Sequence, residues 1–563
     1  MKRRSEITTL EVVKIPVLLF YFFVMSFCSI THAGVAGDIV YRNGFESPQF
    51  PYSTSLIQGS VTDGVDADAT RVYLGVLVNT GEFRLDRTDL VVPGRGQLDF
   101  NFARRYRSQL DYDGPLGHGW DFSYNERLNI LPDGSVLRSN GSGHIGHWIS
   151  IGAGNYTAPR GYFGTLRQLG DGSFVLRESN GFRREFDKAG RLLAHRDRFG
   201  NHMLFSYDFD GNLVQIEDVY GRLYQLTYQL FGGQQRMVAL VDFSGRQLVF
   251  AYDGQGQLTS VRSPIVAGTS TGNDFLAGRT ERYAYYNNTG QVELNHNLVT
   301  VTYPVEVALA GPEAIHIVYG ATGASHDRVT NLTLGGQNAA SGVIAGGTAV
   351  FSWTDINGGV GLGDPAVGRL QLDLNERNAN QRQYLVNERQ HTITERFLTQ
   401  GLRPGLEPAT YWETINVYDE DGQLTETTLH EGNRVQYSYD QSGPRSAQKN
   451  LLSERQIADV DRGGGDDLVT SYSYEPVFNQ LLTQTDPRGH AASYVPPIGI
   501  ASSARYTTRH FYDFQENNLP IPDVLEFGIV TTALTRGLGD LNGDGESNQL
   551  AGNVVRIIEP TVT

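Results

Sequence analysis

The stretch FSYDFDGNLVQ, residues 205–215, holds a unit that the chain repeats: an aromatic residue, an acid, two variable positions, a glycine and a polar residue. Here it is Tyr207, Asp208 and Gly211; it recurs as Phe186, Asp187 and Gly190, as Tyr252, Asp253 and Gly256, and as Tyr418, Asp419 and Gly422. Phe186, Tyr207 and Tyr228 lie 21 residues apart, Tyr252 follows at 24, and Tyr439 stands 21 after Tyr418. A second motif keeps the same beat: DRFGN at 197–201, DVYGR at 218–222 (Asp218, Gly221) and DFSGR at 242–246 (Asp242, Gly245). A unit with two turns contains two strands, and a fixed period is the signature of a repeat architecture.

Strand geometry explains the composition. Residues i, i+2 and i+4 of a strand share a face, which groups Met203/Phe205/Tyr207, Tyr224/Leu226/Tyr228 and Leu248/Phe250/Tyr252 on one side. The other side carries His202/Leu204/Ser206, Leu223/Gln225/Thr227 and Gln247/Val249/Ala251. Facing aromatics on neighbouring strands add stability, so stacked copies build an aromatic ladder. The acid begins each turn by accepting backbone N–H groups, and the glycine supplies the positive φ of the reversal. These residues therefore read as structural, not catalytic. The fold class is all-β: a hairpin array forming a curved or spiral sheet, preceded by a β-rich N-terminal domain. A one-sided apolar face cannot stand in water; the sheet must curl, pair with a second sheet, or cover a guest.

The rest of the chain frames this array. Of 563 residues 65 are Gly, 29 Tyr and 27 Phe, which fits a turn-rich, strand-rich protein. Residues 1–33 run from a basic start through an apolar stretch, Ile15 to Phe27, to Thr31-His32-Ala33, the order of an export signal cleaved after Ala33. The competing reading, a retained membrane anchor, meets a run shorter than the ~20 residues of a span. Export to the periplasm, cell surface or medium follows, with no transmembrane segment in the mature chain. Residues 34–70 read as a lead-in, 71–155 as the N-terminal β domain, 156–330 as a first repeat block and 331–365 as a Gly/Ala-rich loop region. Residues 366–563 read as a second block with degenerate copies at 474–481 and 485–490. Cys28 is the only cysteine, so the mature protein has no disulfide. Loss of residues 1–33 moves the net charge from −16 to −18, and so acidic a body argues against nucleic acid as a partner.

The four quoted YD or FD copies, with Tyr439-Asp440 and Gly443 as a fifth, and the three DxxG[NR] turns resemble YD repeats, the units of the RHS family, which also includes insecticidal toxin-complex shells and the animal teneurins. GEFRLDRTDLVVPGRGQLDFNFARRYRSQ (81–109) with GPLGHGWDFSYNERL (114–128) resembles the β-rich domain of unknown function that opens many bacterial RHS proteins. The resemblance implies a spiral sheet wound into a hollow shell around a C-terminal toxin. No closing core motif with autocleavage aspartates and no variable tail follow the repeats, so the expectation is a partial shell wall. Its partner would be a downstream core or toxin polypeptide.

Chemistry-bearing motifs are few. GDLNGDGESNQLAG at 539–552 alternates Asp540, Asn542 and Asp544 ahead of Gly545, as Ca²⁺ loops do, with Asn548 a further oxygen donor through water. Ala551 stands where a bidentate acid belongs, which leaves a metal-free Asx/Gly turn as an equal reading. No cofactor is required, and Ca²⁺ is the one the sequence suggests. The histidines show no zinc spacing, and no GxSxG, HExxH or phosphate-loop motif occurs, so no catalytic residue and no enzyme is expected. The competing function is a surface adhesin presenting exposed aromatics, such as Trp120 and Trp148, to glycans or cells. A hydrolase hidden within 266–410 is the third.

Overall fold

The computed structural model of the protein describes residues 53–54, 72–96, 98–268, 274–287, 289–335, 346–359, 364, 366–399, 410–458, 465–490, 506–512 and 554–558. Residues 1–33, most of the lead-in and the loop at 540–551 lie outside them, and with it Asp540, Asn542, Asp544 and Asn548. Among the described residues the one α-helix is Pro304–Leu309, and no helix is long and apolar enough to cross a membrane.

Strands form two principal bodies. In the first, β1 (Arg84–Arg95), β2 (Leu98–Arg107) and β3 (Trp120–Phe122) make an antiparallel sheet in that order. In the second, a 30-stranded sheet runs from β4 (Glu126–Ile130) to Val554–Ile558 with every strand beside its sequence neighbour. This meander, the wall, is what a chain of short turns produces, because a two- to five-residue reversal returns each strand against the last. The sheet begins at Glu126, not at 156. The physical reason is pairing: β4 carries a full register with Val136–Asn140, which pairs onward with Ile145–Gly152. Strands within 126–155 thus pair into the wall's sheet.

A second boundary also moves. Residues 331–365 hold strand Thr348–Asp355 and the end of strand Val329–Leu334, where a loop is expected. Alternation decides it: Ala349, Phe351 and Trp353 all point inward, 0%, 2% and 6% exposed. The Gly-rich flank obscures this pattern, and 336–345 lie outside the described residues. Residues 366–399 keep the repeat turn without its glycine. In the turns at 376–380 and 387–391, Ala379 (φ +66°) and Gln390 (φ +64°) take that place.

The wall curls until distant strands meet. Asp421 accepts the Gly161 backbone N–H at 3.1 Å and the Arg445 guanidinium, which also donates to the Tyr162 carbonyl at 3.0 Å. Asn479 donates to the Ser179 carbonyl at 2.8 Å, 300 residues away in sequence. Twist of one hand accumulated over many strands brings such segments together.

Candidate functional site

The site follows from the wall's apolar face and from what covers it. Met203, Phe205, Tyr224, Leu226, Leu248 and Phe250 are all under 5% exposed. What buries them is the chain's own N-terminal sheet. Along β2 the residues Phe100, Phe102, Arg104 and Tyr106 share one face, and its aromatic rings meet every second wall strand. Phe100 stacks on Tyr224 with ring centroids 3.5 Å apart, Phe102 lies 6.2 Å from Phe250, and Tyr106 lies 6.2 Å from Tyr285. Aromatic pairs of this kind add about 0.5–1.5 kcal/mol beyond burial. Of the alternatives for hiding the face, the molecule both curls and fills itself.

Trp120 and Trp148 are corrected by the same arrangement. They are 0% and 1% exposed. Trp120 packs 5.0 Å from Tyr283 and donates its indole N–H to Tyr285 at 2.8 Å; Trp148 packs edge-on against Tyr162. Large rings on an apolar strand face gain more from the core than from solvent, so neither forms an exposed aromatic platform.

Charged groups sealed in this interface are paired. Arg87 grips Glu281 with both nitrogens, at 2.6 and 2.9 Å, and Arg236 reaches Asp113 and the Gly114 and Gly256 carbonyls. Arg104 holds Asp89, and Arg107 donates to Glu82 at 2.8 Å. At the wall's first strand Glu126 accepts from Arg138 and Arg184, both at 2.9 Å, and contacts His195 at 3.1 Å. Burial alone would lift this carboxyl, but the two guanidinium groups hold it well below the usual carboxylate range. Burial pushes His195 down, against the pull of the Glu126 carboxylate. Asp121 shows the opposite balance: burial pushes it up to about 6 despite bonds from Asn125, Phe122 and Gly143.

The repeat turns have one local geometry. Asp187, Asp208, Asp218, Asp242, Asp253 and Asp419 each accept the backbone N–H four residues on through Oδ1, at 2.8–3.0 Å. Gly190, Gly211, Gly221, Gly245, Gly256 and Gly422 all have φ between +73° and +85°. After Gly221 and Gly245 stands an arginine that donates to the turn's acid; burial of Asp218 and Asp242 is outweighed by backbone and guanidinium bonds and both are lowered. Asp419, followed by Gln423, is raised by burial, with Asp421 adding to it. Phe186 is buried, while Tyr207, Tyr252 and Tyr418 are half-buried at the ends of their strands. In the degenerate copy at 474–481, Glu475 takes the acid's part, accepting from Val477, Phe478 and Gln480. Asp486 caps an ordinary turn through Arg488.

Sequence reasoning missed what the repeat tyrosine's hydroxyl does. Each of these tyrosines sits where the register slips by a β-bulge, opposite a leucine beyond the turn: Tyr207 with Leu213, Tyr252 with Leu258, Tyr418 with Leu424. That leucine's carbonyl then accepts the hydroxyl of the next repeat tyrosine. Tyr228 donates to Leu213 at 2.8 Å, Tyr285 to Leu258 at 2.7 Å, Tyr319 to Leu298 at 3.1 Å, Tyr439 to Leu424 at 3.1 Å and Tyr512 to Leu481 at 2.6 Å. A bulge leaves one backbone group out of the ladder, and the next tyrosine satisfies it. The signal was present as a leucine six residues after each aromatic, at 192, 213, 258 and 424.

A meander of two-strand units, stapled by the hydroxyls of Tyr228, Tyr285, Tyr319, Tyr439 and Tyr512 and folded over its own N-terminal sheet, defines a repeat-built β-wall. Comparison with known proteins finds two family models on the chain. Residues 418–444 match the RHS Repeat, and residues 75–146 match a domain of unknown function, DUF6531. The chain is 28% identical over 183 residues to Double-stranded DNA deaminase toxin A of Burkholderia cenocepacia (strain H111), covering 31% of this chain and 13% of that protein. Among solved structures, a TcdB2–TccC3–TEV assembly aligns at a TM-score of 0.36 and 13% identity, over 73% of this chain and 19% of that one. The Tc holotoxin pore of Photorhabdus luminescens aligns at 0.35 and 11% identity, over 77% and 22%. The chain thus spans under a quarter of each of these three chains.

Proposed function

We propose that this chain is a wall segment of an RHS shell whose inner face, beyond the part filled by the N-terminal sheet, encloses a guest polypeptide in a toxin system. The observation that carries this is a change along the wall. Met203 and Phe205 are buried in the first block, whereas the equivalent Val435, Tyr437 and Tyr472 are only half-buried, with Thr470 and Glu454 beside them. The filled part ends near strand Thr392–Thr399; after it the inner face turns from apolar to tyrosine, threonine and glutamate. A surface of aromatic and polar side chains suits a polypeptide held without being packed into a core. The toxin name borne by the matched relative supports the setting. Guest, export and assembly with further polypeptide are part of this proposal.

Photo-crosslinking tests it. A benzophenone residue at Tyr437 or Tyr472 should crosslink to the polypeptide encoded directly downstream when the two are co-expressed, and one at outward-facing Ser438 should not. Crosslinks confined to Ser438, or none from the inner positions, would overturn the reading.

A further inference from the structure

Between β2 and β3 the hairpin Asp113–His118 leaves the N-terminal sheet and seats itself on the wall. It pairs Asp113 with His118 and Gly114 with Gly117, and Leu116 at its tip is fully buried. The wall grips its main chain. The Met237 N–H donates to the Pro115 carbonyl at 2.8 Å, Arg236 donates to the Gly114 carbonyl at 2.8 Å, and the Tyr252 hydroxyl reaches the Pro115 carbonyl at 3.3 Å. A Cβ on Gly117 would lie 2.9 Å from the Gly256 carbonyl oxygen, so the two backbones are close. Trp120 begins β3 two residues after His118, so the hairpin sets where β3 enters the core.

At the base of this hairpin two imidazoles face each other. His118 stacks on His296, from the wall's loop between strands Thr280–Tyr285 and Leu298–Thr302, with ring centroids 4.3 Å apart and planes 27° off parallel. Both residues are half-buried, and the His296 Nδ1 has no hydrogen-bond partner among the described residues. Neutral rings stack in this way, whereas two imidazolium rings repel. The charged groups facing the pair come from the hairpin side and from the wall. Asp111 and Asp113 lie on the first, and Arg236 and Asp253 on the second. Asp113 is held by Arg236, and Asp253 accepts from the Gln255 and Gln257 N–H groups of its own turn. Tyr106 donates its hydroxyl to the His296 carbonyl at 3.1 Å, and burial keeps that phenol protonated. Burial pushes His118 from 6.5 down to about 4, with His296 pushing the same way, and lowers His296 too. We propose that this hairpin is an acid-sensitive latch: charging the stacked imidazoles of His118 and His296 beside Arg236 drives the hairpin off the wall and bares Leu116. The seated hairpin holds both rings neutral and the released one protonates them, so the latch is closed above pH 6.5 and weakens as pH falls toward 4. The latch acts on the N-terminal sheet and needs no guest within the wall.

Hydrogen exchange of the full chain between pH 7 and pH 4.5 tests the latch, read as protection corrected for the intrinsic rate at each pH. The Met237 amide, bonded to Pro115, should lose protection at least about tenfold, because a histidine moved from 6.5 to about 4 favours its charged, released form by more than that at pH 4.5. The Ile356 amide, bonded to the Arg369 carbonyl at 2.9 Å elsewhere in the wall, should keep its protection and so separates latch release from general unfolding. Joint replacement His118→Phe and His296→Phe keeps two stacked rings without a titrating group, and should hold Met237 protection level across the range. Should that double variant fail to fold, His118→Gln gives the same readout with a polar side chain in place. Met237 protection that falls no further than that of Ile356, or a fall undiminished in these variants, would overturn the latch.

Discussion

Gly190 and Gly211 occupy the same place in successive repeats and have nearly the same backbone, φ +82° and +85°, yet alanine should affect them very differently. At Gly211 a Cβ would meet nothing within 4 Å, so the cost is that of holding an L-residue in the left-handed region, about 1–2 kcal/mol. At Gly190 a Cβ would lie 1.9 Å from the Leu128 carbonyl oxygen and 3.1 Å from the Leu128 Cβ. The obstacle is main chain, and it belongs to β4, the wall's first strand, whose Leu128 N–H donates to the Gly190 carbonyl at 2.8 Å. That bond covers an edge which would otherwise be open. Making room by more than an ångström breaks it, and an unmet buried backbone group adds about 1–3 kcal/mol. Gly190→Ala should therefore cost roughly 2 kcal/mol more than Gly211→Ala, read as the difference between their urea midpoints multiplied by a common slope. Amide exchange should localise the damage, with Leu128 losing protection in Gly190→Ala and keeping it in Gly211→Ala. Equal midpoints and equal protection at Leu128 would refute the claim that this turn closes the wall's first edge.

Tyr228→Phe should destabilise by about 1 kcal/mol by leaving the Leu213 carbonyl unmet, and thermal unfolding checks it against Tyr207→Phe, which should cost nothing because that hydroxyl has no hydrogen-bond partner among the described residues. Ala379→Gly should stabilise by roughly 0.5–1 kcal/mol, because the turn at φ +66° then holds the residue the other repeats use; a lower melting temperature would contradict that. His391 is 5% exposed, lies 4.7 Å from the Tyr418 ring, and burial pushes it from 6.5 down to about 4. The folded state holds it neutral while the unfolded chain protonates it, so its contribution is complete above pH 6.5 and shrinks as pH falls toward 4. The loss over that window is on the order of 3 kcal/mol. His391→Phe should flatten the stability profile between those pH values, and an unchanged slope would show that His391 is not the group titrating.

The repeat, the strand faces and the turns could be read from sequence because they are local. A two-residue alternation fixes which side chains share a face, and an acid followed by glycine fixes a reversal, whatever lies elsewhere. Met203, Phe205 and Leu248 were legible as inward residues on those grounds, as was the meander that short turns impose. Ala379 and Gln390 were not, because left-handed backbone held by surrounding strands leaves no mark once the glycine is gone. Contacts between segments far apart in the chain were invisible too. Sequence places Trp120 and Trp148 on strands but cannot say that Tyr283 and Tyr162 lie over them, and it shows an apolar wall face without showing that Phe100 and Tyr106 cover it. The His118 ring is the sharpest case: its neighbours in sequence mark a glycine-rich turn, and only the curl of the wall lays His296 against it. Period and face are properties of a few adjacent residues, whereas cover and closure depend on which distant strands the twist of the sheet brings together.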